Sequence, residues 1–517
     1  MSDCEFKNKW LFLLVLVFLI ALTIPHTPHA VGSDAFLYQA AARSIVEHGV
    51  AKWVTSPLSF YGLTPYSTPS SLTYLVSILM LLTNLEVESV SALLSITFSI
   101  TAYLSMYLLS GVFFHKRFYR LLAGLFYATT PLVLRITTFT LSTRMFFSIG
   151  FIYSLYFMYR LLEEKNKKTL LLLTTFLIFL PSTHRMYLLA YPVILASLIG
   201  LTLSSKISIS KKTNERLSYL LVLASIALFL LFVWGGVMKT PNNKGLYSRY
   251  PHVLERIIFT LYYYGRNSGF ILFLSIIGFL TKHGGEKKEY LLYPTLILSP
   301  LLPSLNYTLN LLLPLLAVYG VFGLKKLYGI DSKTTSVLFT LIIFTAFSFS
   351  LLGQYYHPQS NKKGTDRHMH RDTHNTIKYI NNELKGSILH NSRFRQQIYS
   401  LSEKPILLTF QPQVYIYGLI NATNQKTNFH FDPTGRNILK STGTEINHIL
   451  ENLKTKNLSQ KEAKKHIKKY DIKYALTDKN TDLNRKNLFE DIEKSCNRIF
   501  DNNKQLIFSF RCSKSYK

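Results

Sequence analysis

One carboxylate and a few basic residues have the type and setting to do chemistry. Asp34 falls in HTPHAVGSDAFLYQAAARSIVEHG, just after an apolar run and at the start of a helical segment. A carboxylate there can act as general base on an acceptor hydroxyl, with a pKa adjustable by partial burial. Its other available role is that Ser33 or Asp34 simply caps a helix over Ala35–His48, which Gly49 ends. Arg135 and Arg144 flank ITTFTLST, and His184-Arg185 interrupt two apolar runs in PSTHRM. Arg266 follows Arg249 and Arg256 in a loop that carries YYYG at 262–265. A charge near membrane depth is costly and needs a partner. A lipid phosphate or pyrophosphate suits the arginine fork, although snorkelling to ordinary headgroups is the plainer alternative.

These residues are positioned by long apolar runs. The 517-residue chain is 48% hydrophobic and 14% aromatic, but the apolar runs lie in residues 1–355. A bilayer core needs roughly 20 apolar residues per helix, so only that part can be membrane. Candidate spans are 10–25, 88–113, 120–137, 145–162, 169–182, 186–204, 217–237, 269–282, 290–304, 308–323 and 335–353. The expected fold is therefore a polytopic α-helical membrane protein with about eleven transmembrane helices. No convincing cleavage site follows the first run, which reads as an uncleaved helix.

The basic clusters give the spans a direction. They lie at His115–Arg117, Lys165–Lys168, Lys206–Arg216, Lys282–Lys288 and Lys325-Lys326. Lys and Arg concentrate in short cytoplasmic loops. Placing all five inside puts the N-terminus in the cytoplasm and the C-terminal region outside. Asp34, Arg144, His184, Arg185 and Arg266 then share the outer face. Residues 71–85, SLTYLVSILMLLTNL, are apolar enough to insert, and a full crossing would invert everything after them. An interfacial or re-entrant helix is the expectation.

The polar remainder divides into a linker at 356–371 and a soluble extracytoplasmic α/β domain at 372–517. Strands are expected at 386–391, 404–410, 472–478 and 505–510, and helices at 372–385, 393–401, 444–454, 459–470 and 484–495. CNRIFDNNKQLIFSFRC reads as a hairpin centred near Lys504, whose flanking Cys496 and Cys512 could form a disulfide outside the cytoplasm. His357, His368, His370 and His374 have spacing that can bind zinc, but their surroundings read as a hydrophilic linker. No phosphate loop, dinucleotide fingerprint or Ser-His-Asp signature occurs in the tail. The net charge of +30 fits a domain beside anionic lipid. Nucleic acid is disfavoured, because basic residues are not paired with stacking aromatics in a recognisable motif.

One apolar helix, an outer loop opening with Gly-Ser-Asp-Ala-x-x-Tyr, many spans and an α/β tail resemble the GT-C superfamily of membrane glycosyltransferases. The nearest sub-pattern is similar to the protein O-mannosyltransferases and lipid A aminoarabinose transferases, and KKYDIKYALTD resembles the closing strand of such proteins. The resemblance implies inverting sugar transfer from a polyprenyl- or dolichyl-phosphate donor on the outer face. It implies Asp34 as catalytic residue, with Arg144, His184, Arg185 and Arg266 holding the donor phosphate. The acceptor would be a glycan, lipid or protein. Many relatives carry a paired Asp-Glu in the first loop, whereas Ala35 follows Asp34 here. A Trp-Trp-Asp-Tyr-Gly motif is also missing, which argues against en bloc glycan transfer to Asn. No cofactor is indicated; a divalent metal is compatible with the composition, but nothing points to one. The alternatives are a lipid-linked glycan flippase or transporter, and a glycan polymerase or ligase. No internal repeat of the kind common in transporters is visible.

Overall fold

The computed structural model describes residues 3–25, 27–48, 71–138, 140–184, 186–206, 267–281, 314–321, 369–390, 472–479 and 496–510, with single residues and pairs elsewhere. Its helices are α1 Asp3–Thr23, α2 Ser33–His48, α3 Ser71–Thr83, α4 Val87–Phe113, α5 Arg117–Ala128, α6 Pro131–Thr137, α7 Thr143–Glu164, α8 Lys167–Thr183, α9 Tyr187–Lys206, α10 Phe270–Thr281 and α11 Arg371–Glu383. Its strands are β1 Ser387–His390, β2 Ile406–Leu407, β3 Ile472–Asp478, β4 Asn497–Asp501 and β5 Gln505–Ser509.

The chain forms two compact units. One comprises Met1–Ile24, Leu94–Thr138 and Ser142–Lys362; the other comprises Pro25–Leu93, Phe139–Leu141 and Lys363–Lys517. The segment after α1 and the first residues of α4 thus group with the tail.

In the helical unit, α7 and the α4 helix that enters it are long and apolar enough to cross a membrane. The expected spans near 10–25, 145–162, 169–182, 186–204 and 269–282 appear as α1, α7, α8, α9 and α10. Spans 217–237, 290–304 and 335–353, and most of 308–323, lie outside the described residues, so the count of eleven is not read from the structure. One expected span needs correction. Residues 120–137 are not one helix but α5 and α6, broken at Thr129-Thr130. Pro131 has no N–H to continue the ladder, and it starts α6 with the Thr130 hydroxyl accepting from Val133 N at 3.4 Å.

Small residues let these helices approach closely. α1, α4 and α5 meet through Val15, Leu19, Tyr103, Leu121 and Ala128. Gly278 of α10 and Gly320 of segment 314–321 lie back to back: a Cβ on Gly278 would sit 1.8 Å from the Leu316 carbonyl oxygen. Van der Waals packing of this kind holds helices together where lipid removes the hydrophobic drive. α7 ends at Lys165 in the left-handed region (φ 48°), and Asn166 caps α8 through Lys168 N at 2.9 Å. This tight turn folds α7 and α8 into an antiparallel pair. Aromatic contacts run along it: Phe146–Phe179 at 5.0 Å, Tyr153–Phe176 at 5.0 Å and Phe157–Phe176 at 5.6 Å.

In the other unit, α3 has 13 residues. At 1.5 Å per residue that is roughly 20 Å, short of the ~30 Å bilayer core. Asn84 (φ 53°) then turns the chain into α4. Ile78, Leu81, Leu82 and Leu85 are exposed, with Leu82 at 77%.

The tail is a five-stranded sheet of order β2-β1-β3-β5-β4. β1 pairs parallel with β2 and β3, while β3–β5 and β5–β4 are antiparallel. All five residues of β5 are buried, as a central strand requires. Helix α11 lies on the β4–β5 hairpin: the Tyr379 hydroxyl donates to Ile499 O at 3.1 Å, and its ring meets Phe500 at 4.5 Å. Asn502 Nδ2 donates to Asp372 O and Thr376 Oγ1 at 2.8 and 2.9 Å. Beyond the turn, Lys479 and Arg498 flank Asp501, and the Lys479 ammonium first of all holds its carboxyl below the usual range. The register pairs Asn497 with Ser509 and Asp501 with Leu506, so the hairpin turns just before Lys504. Cys496 is disulfide-bonded. Its expected partner, Cys512, lies outside the described residues, as do most of the helices expected at 393–401, 444–454, 459–470 and 484–495.

Candidate functional site

The Asp34 segment is built in the unit that contains the tail. Gly32 takes φ +106°, a conformation that side chains rarely adopt, and a Cβ there would touch Thr140 Cγ2 at 3.4 Å. Its carbonyl accepts from Ala35 N at 3.1 Å and Phe36 N at 3.4 Å, so α2 starts at Ser33, two residues earlier than the sequence suggested. Asp34 is therefore inside the first turn.

Side chains from three directions fix α2. Before the helix, Glu88 at the start of α4 takes two hydrogen bonds: His29 Nδ1 at 3.1 Å and Ala30 N at 3.3 Å. In its middle, buried Gln39 donates to Ser91 Oγ at 3.1 Å, and Ser77 of α3 donates to Ala42 O at 3.2 Å. Near its end, Arg43 reaches Glu47 at 3.0 Å and the carbonyl of Ser402 at 3.4 Å. His29 also stacks on His374 of α11, ring centroids 4.1 Å apart. Burial, then His29 and Lys378, hold the His374 imidazole below its usual pKa, with Glu88 opposing. His374, which the sequence grouped with linker histidines, is thus a packing partner of the first loop. Among the described residues no group of three His, Cys, Asp or Glu is arranged to hold a metal ion.

The basic residues belong to the helical unit. Arg144 is the second residue of α7 and half-buried. His184 is the C-cap of α8, in extended conformation. Since α7 and α8 are antiparallel, both stand at the same end of the pair. Phe147, one turn past Arg144, has its ring 6.2 Å from that of His184. His184 Nδ1 accepts from Met186 N at 3.1 Å, which leaves the neutral ring its proton on Nε2, a donor. Arg185 and Arg266 lie outside the described residues.

The sequence passed over two groups. Glu88 is one of two acids at the head of an otherwise uncharged span, a signal that was visible. Asn267 follows Arg266; it is 2% exposed, and its Nδ2 has no hydrogen-bond partner among the described residues. A buried unsatisfied amide is costly, which makes it a candidate ligand contact. Nothing in the sequence distinguished it.

The overall arrangement matches known structures. ArnT from Cupriavidus metallidurans bound to undecaprenyl phosphate superimposes with a TM-score of 0.53 over 98% of each chain, at 11% identity. The chain thus shares its fold with that protein. The archaeal oligosaccharyltransferase AglB from Archaeoglobus fulgidus, in complex with an inhibitory peptide and a dolichol-phosphate, matches with a TM-score of 0.51 at 13% identity, covering 91% of this chain and 69% of that one. The sequence matches no protein-family model, and no curated protein matches it significantly. These neighbours are polytopic membrane proteins with a C-terminal domain, the class expected here from hydropathy.

Proposed function

We propose that this protein is a glycosyltransferase that moves a sugar from a polyprenyl- or dolichyl-phosphate donor to an acceptor on the outer face of the membrane. The observation that carries this reading is the end-to-end superposition on a GT-C protein crystallised with undecaprenyl phosphate. The chemistry is a single in-line displacement at the anomeric carbon. Asp34 takes the proton of the acceptor hydroxyl as the new C–O bond forms, and the lipid phosphate leaves with the electron pair of the broken bond. Arg144, His184, Arg185 and Arg266 stabilise that phosphate, and Asn267 joins them as a neutral donor. The N-terminus is cytoplasmic, and the tail and first loop are extracytoplasmic. α3, too short to cross, lies in the outer interface with Ile78, Leu81, Leu82 and Leu85 in lipid. Ala35 after Asp34, in place of a paired second acid, supports a reaction without a metal.

The test is incubation of membranes containing the protein with radiolabelled lipid-phosphate sugars and extracted cell-envelope acceptors. Label should move to acceptor, survive chelation by EDTA, and fall by about 100- to 10,000-fold in Asp34→Asn, the range of general-base catalysis. Transfer unchanged by Asp34→Asn removes Asp34 from the mechanism. Movement of intact lipid-linked sugar across vesicles without transfer points instead to a flippase.

A further inference from the structure

Glu88 makes two contacts with the ten residues, 24–33, that connect α1 to Asp34. Its Oε1 accepts from the backbone of Ala30 at 3.3 Å, and its Oε2 meets His29 Nδ1 at 3.1 Å. An ionised carboxylate can only accept, so Nδ1 of His29 carries a proton. His29 is held on its other side by His374, which stacks at 4.1 Å with a 39° tilt. These contacts reach from the head of α4 through the first loop to α11 in one compact unit. His29 and Glu88 expose only 11% and 21% of their side chains, so the arrangement is largely shielded from solvent.

We propose that Glu88, His29 and His374 form a latch that fixes the backbone entering Asp34 against α11 and releases it on acidification. The charged groups bearing on His374 are His29 from the first loop, Glu88 from α4 and Lys378 one turn along α11. With His374 neutral, its ring lies against that of His29, which is hydrogen-bonded to Glu88. A protonated His374 places its charge against the His29 ring, 4.1 Å away, and beside Lys378, with Glu88 opposing, so the stack is weakened. Because His374 prefers its neutral form in the folded protein, the latch is intact above the ordinary histidine range. It weakens as pH falls from that range through the lower folded-state value. Asp34 follows Ala30 by four residues, with Gly32 held in its unusual conformation between them, so loosening at Ala30 reaches the carboxylate directly. Glu88 is thus a positioning residue. Its effect on transfer rests on the glycosyltransferase reading, but the latch itself does not.

Two measurements on the full-length protein in nanodiscs test this. Hydrogen exchange over residues 27–34, corrected for intrinsic rates, should show protection that falls between pH 7.5 and 5 in the wild type. In His374→Phe, which keeps a stacking ring but cannot titrate, protection should not vary with pH. Transfer assays should show an acid-side loss of activity in the wild type that His374→Phe removes. Glu88→Gln should lower kcat by about 10-fold with donor KM unchanged, as expected for a modest misplacement of a reacting group, and Glu88→Asp should recover part of it. Exchange at 27–34 that is independent of pH in the wild type overturns the latch, and that series stands even if a variant fails to fold. A pH-dependent exchange with no transfer from any lipid-phosphate sugar supports the latch and counts against the enzymatic reading instead.

Discussion

Phe147 and His184 meet ring to ring, 6.2 Å apart, where the first turn of α7 passes the C-cap of α8. The same cap turns Nδ1 of His184 onto Met186 N, so the two ring nitrogens have different duties. Asparagine can reproduce an acceptor near Nδ1 but not a donor at Nε2, while glutamine reaches the Nε2 position. His184→Asn should therefore keep the unfolding temperature and raise donor KM by roughly 10- to 100-fold, the value of a hydrogen bond to a charged group. His184→Gln should lose less donor affinity and more stability. Thermal unfolding in detergent alongside donor titration separates the two, and equal effects of both variants would remove His184 from the phosphate site.

Asn267 allows a test in which structure and function predict opposite signs. Its buried Nδ2 lacks a partner among the described residues, so replacing the amide with an apolar side chain of similar size should be neutral or stabilising for the fold. Asn267→Leu is expected to unfold at the same or higher temperature and to bind donor more weakly, with kcat less affected. A variant that loses stability and keeps its donor KM would show a purely structural asparagine.

Close helix contacts set a limit on side-chain size at three glycines. A Cβ on Gly124 would lie 2.7 Å from the Tyr103 ring, whereas on Gly278 or Gly320 it would strike a backbone oxygen at 1.8 or 2.0 Å. A ring can shift and a helix backbone cannot without parting the helices. Gly124→Ala should cost about 1–3 kcal/mol, the usual range for overpacking. Gly278→Ala should be worse, and its yield of folded protein after detergent extraction is the practical measure.

Among the described residues, most helices were legible in one dimension. Runs of apolar residues can only be satisfied in lipid as helices, and that constraint is local, so α1, α4, α7, α8, α9 and α10 could be read from hydropathy alone. β3 was read to the residue, because IKYALTD is bounded by charged and turn-forming residues. The broken helix at Thr129-Thr130 was missed. Hydropathy is blind to hydrogen-bond geometry, and the Pro131 signal was outweighed by the apolar residues around it.

The candidate site was only half visible. Residue type and chain position pointed to Asp34, Arg144 and His184, because charges beside apolar runs are costly enough to stand out. That Arg144 and His184 share one end of a helix pair follows from the two-residue turn at Lys165-Asn166, which is also local. What holds Asp34's segment was not readable. Glu88 follows His29 by 59 positions, and His374 is a further 286 residues along the chain. No local rule links residues so far apart. By itself the sequence determined which segments are apolar, where charges interrupt them and which carboxylate opens the first loop. Only the tertiary structure decided that this loop packs with the tail and that two histidines and a glutamate meet beside it, because such contacts depend on the path of the backbone between them.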